Sequence, residues 1–148
     1  MQNEITIIAG PCAIESESQL DECAAFLSAL GVKYLRGGAF KPRTNPDDFQ
    51  GLGTEGLEIM VRVAKKYGMK TVSEIMDTRD LPLFADIDIL QVGSRNMHNT
   101  PLLKELGRQK KPVLLKRGHA ATLDELLQAA RYIEKEGNTN ILLCERGV

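Results

Sequence analysis

The stretch ITIIAGPCAIESESQLDECAAFLSALGVKYL, residues 5–35, decides the fold because a helical pattern separates two short apolar runs. The runs ITIIA (5–9) and VKYL (32–35) have the length and composition of buried strands. Between them, apolar residues recur at the spacing of one helix face, as Leu20, Cys23, Ala24, Leu27 and Leu30. The stretch therefore predicts a strand, a helix and a second strand in succession.

The same alternation continues along the rest of the sequence. Further strand-length runs are KTVS (70–73), IDIL (87–90), VLL (113–115) and ILL (141–143). Helical patterns separate these runs, and the third is a short helix within 78–85 that contains Pro82. The sequence thus predicts six strands alternating with five helices.

Capping signals mark the starts of three of these helices. Ser16 precedes Gln19, and Thr122 precedes Glu125, at the spacing of a capping box. Thr100 stands directly before a proline, which predicts an N-cap followed by proline at the first helical position.

Strict alternation of strands and helices predicts a parallel sheet with right-handed crossovers. Two architectures fit this pattern, an open doubly wound sheet and part of an eight-stranded barrel. A complete barrel typically takes about 250 residues, whereas this chain has 148. The strand count therefore favours an open sheet, and the length predicts a single domain over residues 1–148.

The composition is typical of an ordinary globular protein. Hydrophobic residues make up 43% and charged residues 26% of the chain, and the formal net charge is −1. These values argue against disordered, membrane-embedded and nucleic-acid-binding proteins. The first ten residues, MQNEITIIAG, lack the cationic start and apolar core of a signal peptide. We therefore expect a cytoplasmic protein with no membrane or nucleic-acid partner.

The three cysteines, Cys12, Cys23 and Cys144, form no CxxC pair and are odd in number. This spacing predicts neither a disulfide framework nor a structural zinc site. A free cysteine is usually a small buried hydrophobe. The position of Cys12, just after the first strand, leaves both a structural and a metal-binding or catalytic interpretation open.

Charged or polar residues follow all six predicted strands, at the end where both architectures bind ligands. Cations follow four of the six strands although the chain is slightly acidic, which favours a site for phosphate or carboxylate groups over coincidence. In strand order, these residues are Cys12; Arg36, Lys41 and Arg43; Glu74; Arg95; Lys116, Arg117 and His119; and Cys144, Glu145 and Arg146.

Taken singly, these residues are ambiguous. An isolated cation at a strand end is more often a solvated charge than a ligand. Glu74 and Glu145 fit an acid–base role and a salt bridge equally well. His98 is best interpreted as a solvent-exposed or hydrogen-bonded side chain, whereas His119 is equally consistent with a role in the site.

Six short motifs stand out along the chain: AGPC (9–12), LRGGAFKPRT (35–44), FQGLG (49–53), GSRNM (93–97), LLKRG (114–118) and CERG (144–147). In order and spacing they resemble the class I 3-deoxy-D-arabino-heptulosonate-7-phosphate (DAHP) synthases of the shikimate pathway, which leads to the aromatic amino acids. The loop containing KPRT is the specific part, because the related 3-deoxy-octulosonate-8-phosphate synthases share AGPC but differ there.

The resemblance implies a (β/α)8 TIM barrel in place of the open sheet. It also implies a metal-dependent, aldol-type transferase that condenses phosphoenolpyruvate with erythrose 4-phosphate and releases phosphate. Homo-oligomerisation is expected from the family. The implied residues are Cys12 as a metal ligand; Lys41 and Glu74 as catalytic residues; and Arg36, Lys41, Pro42, Arg43, Thr44, Gly93, Ser94, Arg95 and Lys116 as substrate-binding residues.

The resemblance also implies that strands seven and eight, and the remaining metal ligands, lie outside this sequence. We therefore expect residues 1–148 to be the N-terminal portion of the barrel and to be inactive alone. One alternative is a non-catalytic module that binds phosphoenolpyruvate or phosphosugars. A less favoured alternative is a Schiff-base aldolase that uses Lys116 or Lys41 as its nucleophile.

Overall fold

The computed structural model describes residues 5–146, and the chain divides into two compact units, Met1–Ser73 and Glu74–Val148. Gly147 of the CERG motif lies outside the described residues. The strands are β1 (Ile8–Ala9), β2 (Tyr34–Arg36), β3 (Lys70–Glu74), β4 (Ile89–Val92), β5 (Val113–Lys116) and β6 (Ile141–Cys144). The α-helices are α1 (Glu17–Ala29), α2 (Thr54–Lys66), α3 (Thr100–Gly107) and α4 (Leu123–Glu134), and Thr78–Phe84 and Ser94–Asn96 are 3-10 helices.

The first unit is built on parallel strands, as the alternation predicts. Ile8 pairs with Tyr34 between β1 and β2, and Tyr34 pairs with Lys70 between β2 and β3. Leu20, Leu35, Met60 and Val72 are completely buried in its core. Strand and helix therefore each contribute one apolar face, which is what their sequence periods predict.

Two ion pairs hold α1 against α2 on their outer faces. Arg62 donates to Glu17 at 2.9 Å, and Lys66 donates to Asp21 at 2.7 Å. Ser16 caps α1 as predicted, because its hydroxyl accepts from Gln19 N at 3.1 Å. The second hydrogen bond of the predicted capping box is different. The Gln19 side chain accepts from Glu15 N, whereas a capping box would have it accept from Ser16 N.

The first strand is shorter than predicted. The prediction placed it at residues 5–9, but only Ile8 and Ala9 pair with β2. The cause lies on the partner strand, where Val32 N donates to Leu27 O at 3.0 Å and so completes the end of α1. Strand β2 therefore begins at Tyr34, and Ile5 is 89% exposed.

The second unit repeats the parallel pairing. Leu90 pairs with Val113 between β4 and β5, and Val113 pairs with Ile141 between β5 and β6. Strand β4 is buried along its whole length, as expected for a parallel strand covered on both faces. Leu103 and Leu106 of α3 are completely buried against this core.

The two remaining capping predictions have different outcomes. The capping box of α4 is confirmed, since Glu125 N donates to Thr122 Oγ1 at 3.2 Å and Thr122 N donates to Glu125 Oε2 at 2.7 Å. The prediction of Thr100 as the N-cap of α3 is wrong by one residue. Asn99 is the cap, and its side chain accepts from Leu102 N at 3.3 Å.

The third predicted helix forms as a 3-10 helix that contains Pro82. Lys111 holds the chain just after it, donating to Phe84 O at 2.8 Å, to Ile87 O at 2.7 Å and also to Ala85 O. Partial burial lowers the pKa of this ammonium group. These carbonyls lie at or just after the end of the helix, where a nearby cation is favourable.

Asp77, which caps this 3-10 helix, is expected to titrate far below its ordinary pKa. Arg79 donates from its side chain at 2.6 Å and 3.0 Å and from its backbone at 2.9 Å, and these bonds lower the pKa of Asp77 from 3.8 to about 2. The contribution of the ionised Asp77 carboxyl group to folding stability is therefore complete above pH 3.8 and is lost as the pH falls through about 2.

Carbon-detected NMR titration of the Asp77 carboxyl group measures this pKa directly. Arg79→Ala should raise it towards 3.8, because the side-chain donor is the largest cause of the shift. A wild-type value near 3.8 would show that the Asp77–Arg79 pair does not persist in solution.

Among residues 5–146, no helix is both long enough and apolar enough to cross a membrane.

Candidate functional site

The segments that follow β1 and β2 meet through their backbones in the first unit. Ile14 N donates to Gly38 O at 2.9 Å. Gly10 has φ of +146°, and a Cβ there would overlap the carbonyl oxygen of Arg36. Cys12 lies in this segment with an exposed side chain, so it is not the buried hydrophobe that a free cysteine usually is.

The long loop over residues 37–53 closes on itself. Lys41 N donates to Gln50 O at 2.8 Å, and Gly53 N donates to Ala39 O at 2.9 Å. Arg43 is exposed, and its Nε donates back to Phe49 O at 2.9 Å. The cationic KPRT stretch is therefore held in one conformation by bonds within its own loop.

Lys41 is buried in this loop, with only 9% of its surface exposed. Its aliphatic stem lies directly over Gly38, where a Cβ would overlap Lys41 Cδ and would come within 2.7 Å of Cys12 O. Only glycine allows the stem to pack so closely to the backbone. The predicted phosphate-binding ammonium group therefore has a position that is fixed by packing.

The other predicted residues of the first unit are less enclosed. Arg36, the last residue of β2, and Pro42 are half-buried, and Thr44 is exposed. All of them lie at or just after the carboxyl end of β2, where the prediction placed them.

Glu74 and Gly93 lie side by side in the second unit. Glu74 is the last residue of β3 and is 6% exposed, and Ile75 N, just after it, donates to Gln91 O of β4 at 3.0 Å. A Cβ on Gly93 would overlap Glu74 Oε1 and would lie 2.7 Å from Glu74 Cδ. The carboxylate thus occupies the space that any other side chain at position 93 would need.

Gly93→Ala is expected to destabilise the protein by about 1–3 kcal/mol, because the new methyl group must displace a buried carboxylate. Denaturant titration followed by circular dichroism measures this loss, since the chain has no Trp. In a Glu74→Ala background the carboxylate is absent, so Gly93→Ala should lower the free energy of unfolding by a smaller amount. An equal loss of stability in both backgrounds would show that the Glu74 carboxylate does not lie against Gly93.

The segment after β4 is tied to the segment after β5. Ser94 begins a 3-10 helix, Arg95 is exposed, and Met97 is completely buried. Gly118 N lies 3.0 Å from Met97 Sδ and donates to it. Lys116, the last residue of β5, is half-buried.

Arg117 has a different role from the one its position predicted. Its position groups it with the anion-binding cations, but it is 9% exposed and each of its three guanidinium nitrogens donates inside the protein. Nε donates to Glu145 Oε1 at 2.8 Å, and the terminal nitrogens donate to Ala121 O at 2.6 Å and Arg146 O at 2.7 Å. Arg117 and the backbone of Arg146 together lower the pKa of Glu145. Of the two interpretations open for Glu145, the structure shows the salt bridge.

Arg146 follows the sixth strand and is not among the predicted binding residues. The structure places its Nη1 3.3 Å from Ser94 Oγ, to which it donates. The sequence does contain a sign of this role, which is the position of Arg146 just after β6. Lys116 has a comparable position at the end of β5. We therefore add Arg146 to the candidate site of the second unit.

The described residues do not by themselves fit a metal ion. Within 5–146, no group of three or more His, Cys, Asp and Glu side chains comes together. Cys12 is an exposed thiol, and among the described residues it belongs to no such group. No step of the chemistry below is therefore assigned to a metal.

Comparison with known proteins gives a consistent picture. The family model described as the DAHP synthetase I family matches residues 1–148. The phospho-2-dehydro-3-deoxyheptonate aldolase of Thermotoga maritima is 56% identical over 144 residues, which are 97% of this chain and 43% of that protein. A 2-dehydro-3-deoxyphosphooctonate aldolase of Francisella tularensis subsp. holarctica is 30% identical, over 96% of this chain and 54% of that protein.

The crystal structure of the Thermotoga maritima DAHP synthase superposes with a TM-score of 0.92 at 53% identity, covering 99% of this chain and 42% of that one. This match confirms the parallel βα repeats of a TIM barrel in place of the open sheet. Among residues 5–146 the structure shows six strands and the five predicted helices, one of which is 3-10, and it adds a short 3-10 helix at Ser94–Asn96. The chain spans about half the length of the curated relatives it matches, or less.

Proposed function

Because the chain belongs to the DAHP synthetase I family, we propose that it binds phosphoenolpyruvate and erythrose 4-phosphate and takes part in their condensation to DAHP and phosphate. One observation carries the proposal. In each unit, the side chains assigned to the substrates follow the carboxyl ends of parallel strands, where barrels of this type bind their ligands.

The first unit is proposed to bind phosphate groups through its cationic loop. Two phosphorylated substrates bring several negative charges together, so their repulsion must be offset before the reacting carbons can approach. Lys41 is fixed by its packing over Gly38, and a fixed charge loses little freedom when it binds an anion. The proposed ligands here are Arg36, Lys41, Pro42, Arg43 and Thr44.

The second unit is proposed to bind phosphoenolpyruvate. Ser94 lies at the start of a short helix and already accepts a bond from Arg146. A guanidinium group beside such a hydroxyl suits a phosphate or carboxylate group. The proposed ligands are Gly93, Ser94, Arg95, Lys116 and Arg146.

Two residues are proposed to act on the reacting atoms. Carbon–carbon bond formation puts negative charge on the aldehyde oxygen, and an ammonium group such as that of Lys41 stabilises this charge. Glu74 is a nearly buried carboxylate at the end of β3, and it is proposed to hold a proton during the reaction. A divalent metal is also proposed, with Cys12 supplying one ligand.

Cytoplasmic location and homo-oligomerisation likewise remain proposals that follow from the family.

Calorimetric titration of this chain with phosphoenolpyruvate tests substrate binding. Release of phosphate, after erythrose 4-phosphate and a divalent metal are added to the protein that carries this sequence, tests the reaction. Binding of phosphoenolpyruvate without condensation would favour the binding module, and a borohydride-trapped adduct on Lys116 or Lys41 would favour the Schiff-base aldolase. Absence of both binding and phosphate release would refute the proposed function.

A further inference from the structure

Arg117 connects the segments that follow β5 and β6. From its own loop it donates to Ala121 O at 2.6 Å and to Gly118 O at 3.3 Å. Across to the other segment it donates to both oxygens of Glu145, at 2.8 Å and 3.0 Å, and to Arg146 O at 2.7 Å. One planar guanidinium group thus fixes two loops relative to each other, which a lysine could not do.

Glu145 completes the connection from its own side. Its Oε1 accepts from Arg146 N at 2.9 Å while it also accepts from Arg117. The backbone of Arg146 is therefore held at both its N–H and its C=O. Glu145 itself is 57% exposed, so this bonding does not come from a requirement to satisfy a buried carboxylate.

The residue held in this way is the one whose side chain reaches Ser94. Arg146 Nη1 donates to Ser94 Oγ at 3.3 Å, across from the segment after β6 to the segment after β4. A long arginine side chain loses much rotational freedom when it binds a ligand, unless its backbone and its direction are already fixed.

We infer that Arg117 and Glu145 are positioning residues that present the Arg146 guanidinium to the anion bound beside Ser94. This inference rests on the proposed function, because it takes that anion to be a phosphate or carboxylate group of phosphoenolpyruvate. Neither Arg117 nor Glu145 touches the substrate. Their effect on binding passes through the conformation of Arg146.

Glu145→Ala is the direct test, measured by calorimetry with phosphoenolpyruvate. Affinity is expected to fall about tenfold, since the ligand must then order Arg146 itself. Hydrogen exchange of the Arg146 amide should become at least about tenfold faster, because its acceptor is lost. Glu17→Ala is the matched control, since Glu17 is a similarly exposed glutamate paired with an arginine, 54% exposed against 57%.

A double-mutant cycle separates positioning from a general structural effect. Arg146→Ala should itself weaken binding, and adding Glu145→Ala should then cause no further loss, because the residue that Glu145 positions is gone. A purely structural role would lower the affinity by the same factor in both backgrounds.

The outcomes distinguish this inference from the proposed function. If the wild-type chain binds no phosphoenolpyruvate, the proposed binding of that substrate is refuted, and the positioning role falls with it. If the wild type binds and Glu145→Ala binds equally well, or the two substitutions are additive, only the positioning role is refuted. Faster exchange at Arg146 together with the non-additive loss of affinity would establish it.

Discussion

Gly10→Ala is expected to destabilise the first unit by about 3–5 kcal/mol, a large part of the roughly 5–15 kcal/mol that stabilises a typical native protein. Two costs combine. With φ of +146°, residue 10 adopts a backbone conformation that is strained for any residue with a Cβ. The new methyl group would also overlap Arg36 O and lie 2.9 Å from Arg36 C, both of which are backbone atoms that cannot rotate away.

Gly31→Ala separates the cost of backbone strain from the cost of steric overlap. Gly31 also has a positive φ, of +77°, but nothing lies within 4 Å of the position that its Cβ would take. The strain alone should cost about 1–2 kcal/mol. Denaturant titrations of both variants measure the difference, and equal losses would show that the approach of Gly10 to Arg36 is not tight.

This close approach also matters for the candidate site. Gly10 and Gly38 are the points where the segments after β1 and β2 come together, with Cys12 O beside Gly38. Lys41 then packs over Gly38. A substitution at Gly10 is therefore expected to disturb Lys41 as well, although the two residues are 31 positions apart in the sequence.

The order of elements could be predicted from the sequence because hydrophobic period is a local property. The capping box at Thr122 was predicted correctly for the same reason, since donor and acceptor are three residues apart. The error at Thr100 arose where Asn99, an equally good cap, stands one residue earlier. The short β1 was not predictable locally, because its length depends on where β2 begins.

The strand-end placement of the candidate residues could be predicted from the sequence, but their contacts could not. Lys116 and Arg117 are adjacent cations at the end of β5, and nothing local distinguishes a ligand from a structural residue. What distinguishes Arg117 is Glu145, 28 residues away, which accepts a hydrogen bond from the Arg117 guanidinium. The guanidinium of Arg117 therefore finds its hydrogen-bond acceptors within the protein. The contact of Arg146 with Ser94 joins residues far apart in the sequence, so only the structure shows it.

Lys41→Met is expected to weaken phosphoenolpyruvate or erythrose 4-phosphate binding about 100-fold, the size of one charge-assisted hydrogen bond in an enclosed site. Methionine keeps an unbranched stem of similar length, so the packing over Gly38 is preserved while the charge is removed. Calorimetry with each substrate in turn also shows which of the two Lys41 contacts.

The stability of the same variant decides between the two interpretations of a buried lysine. If Lys41 serves a ligand, replacing its charge by an apolar group should weaken substrate binding by more than it lowers the free energy of unfolding. If Lys41 is structural, the variant should lose stability and bind both substrates normally. Lys65→Met is the control, because Lys65 is an exposed lysine on α2, and it should change neither measurement.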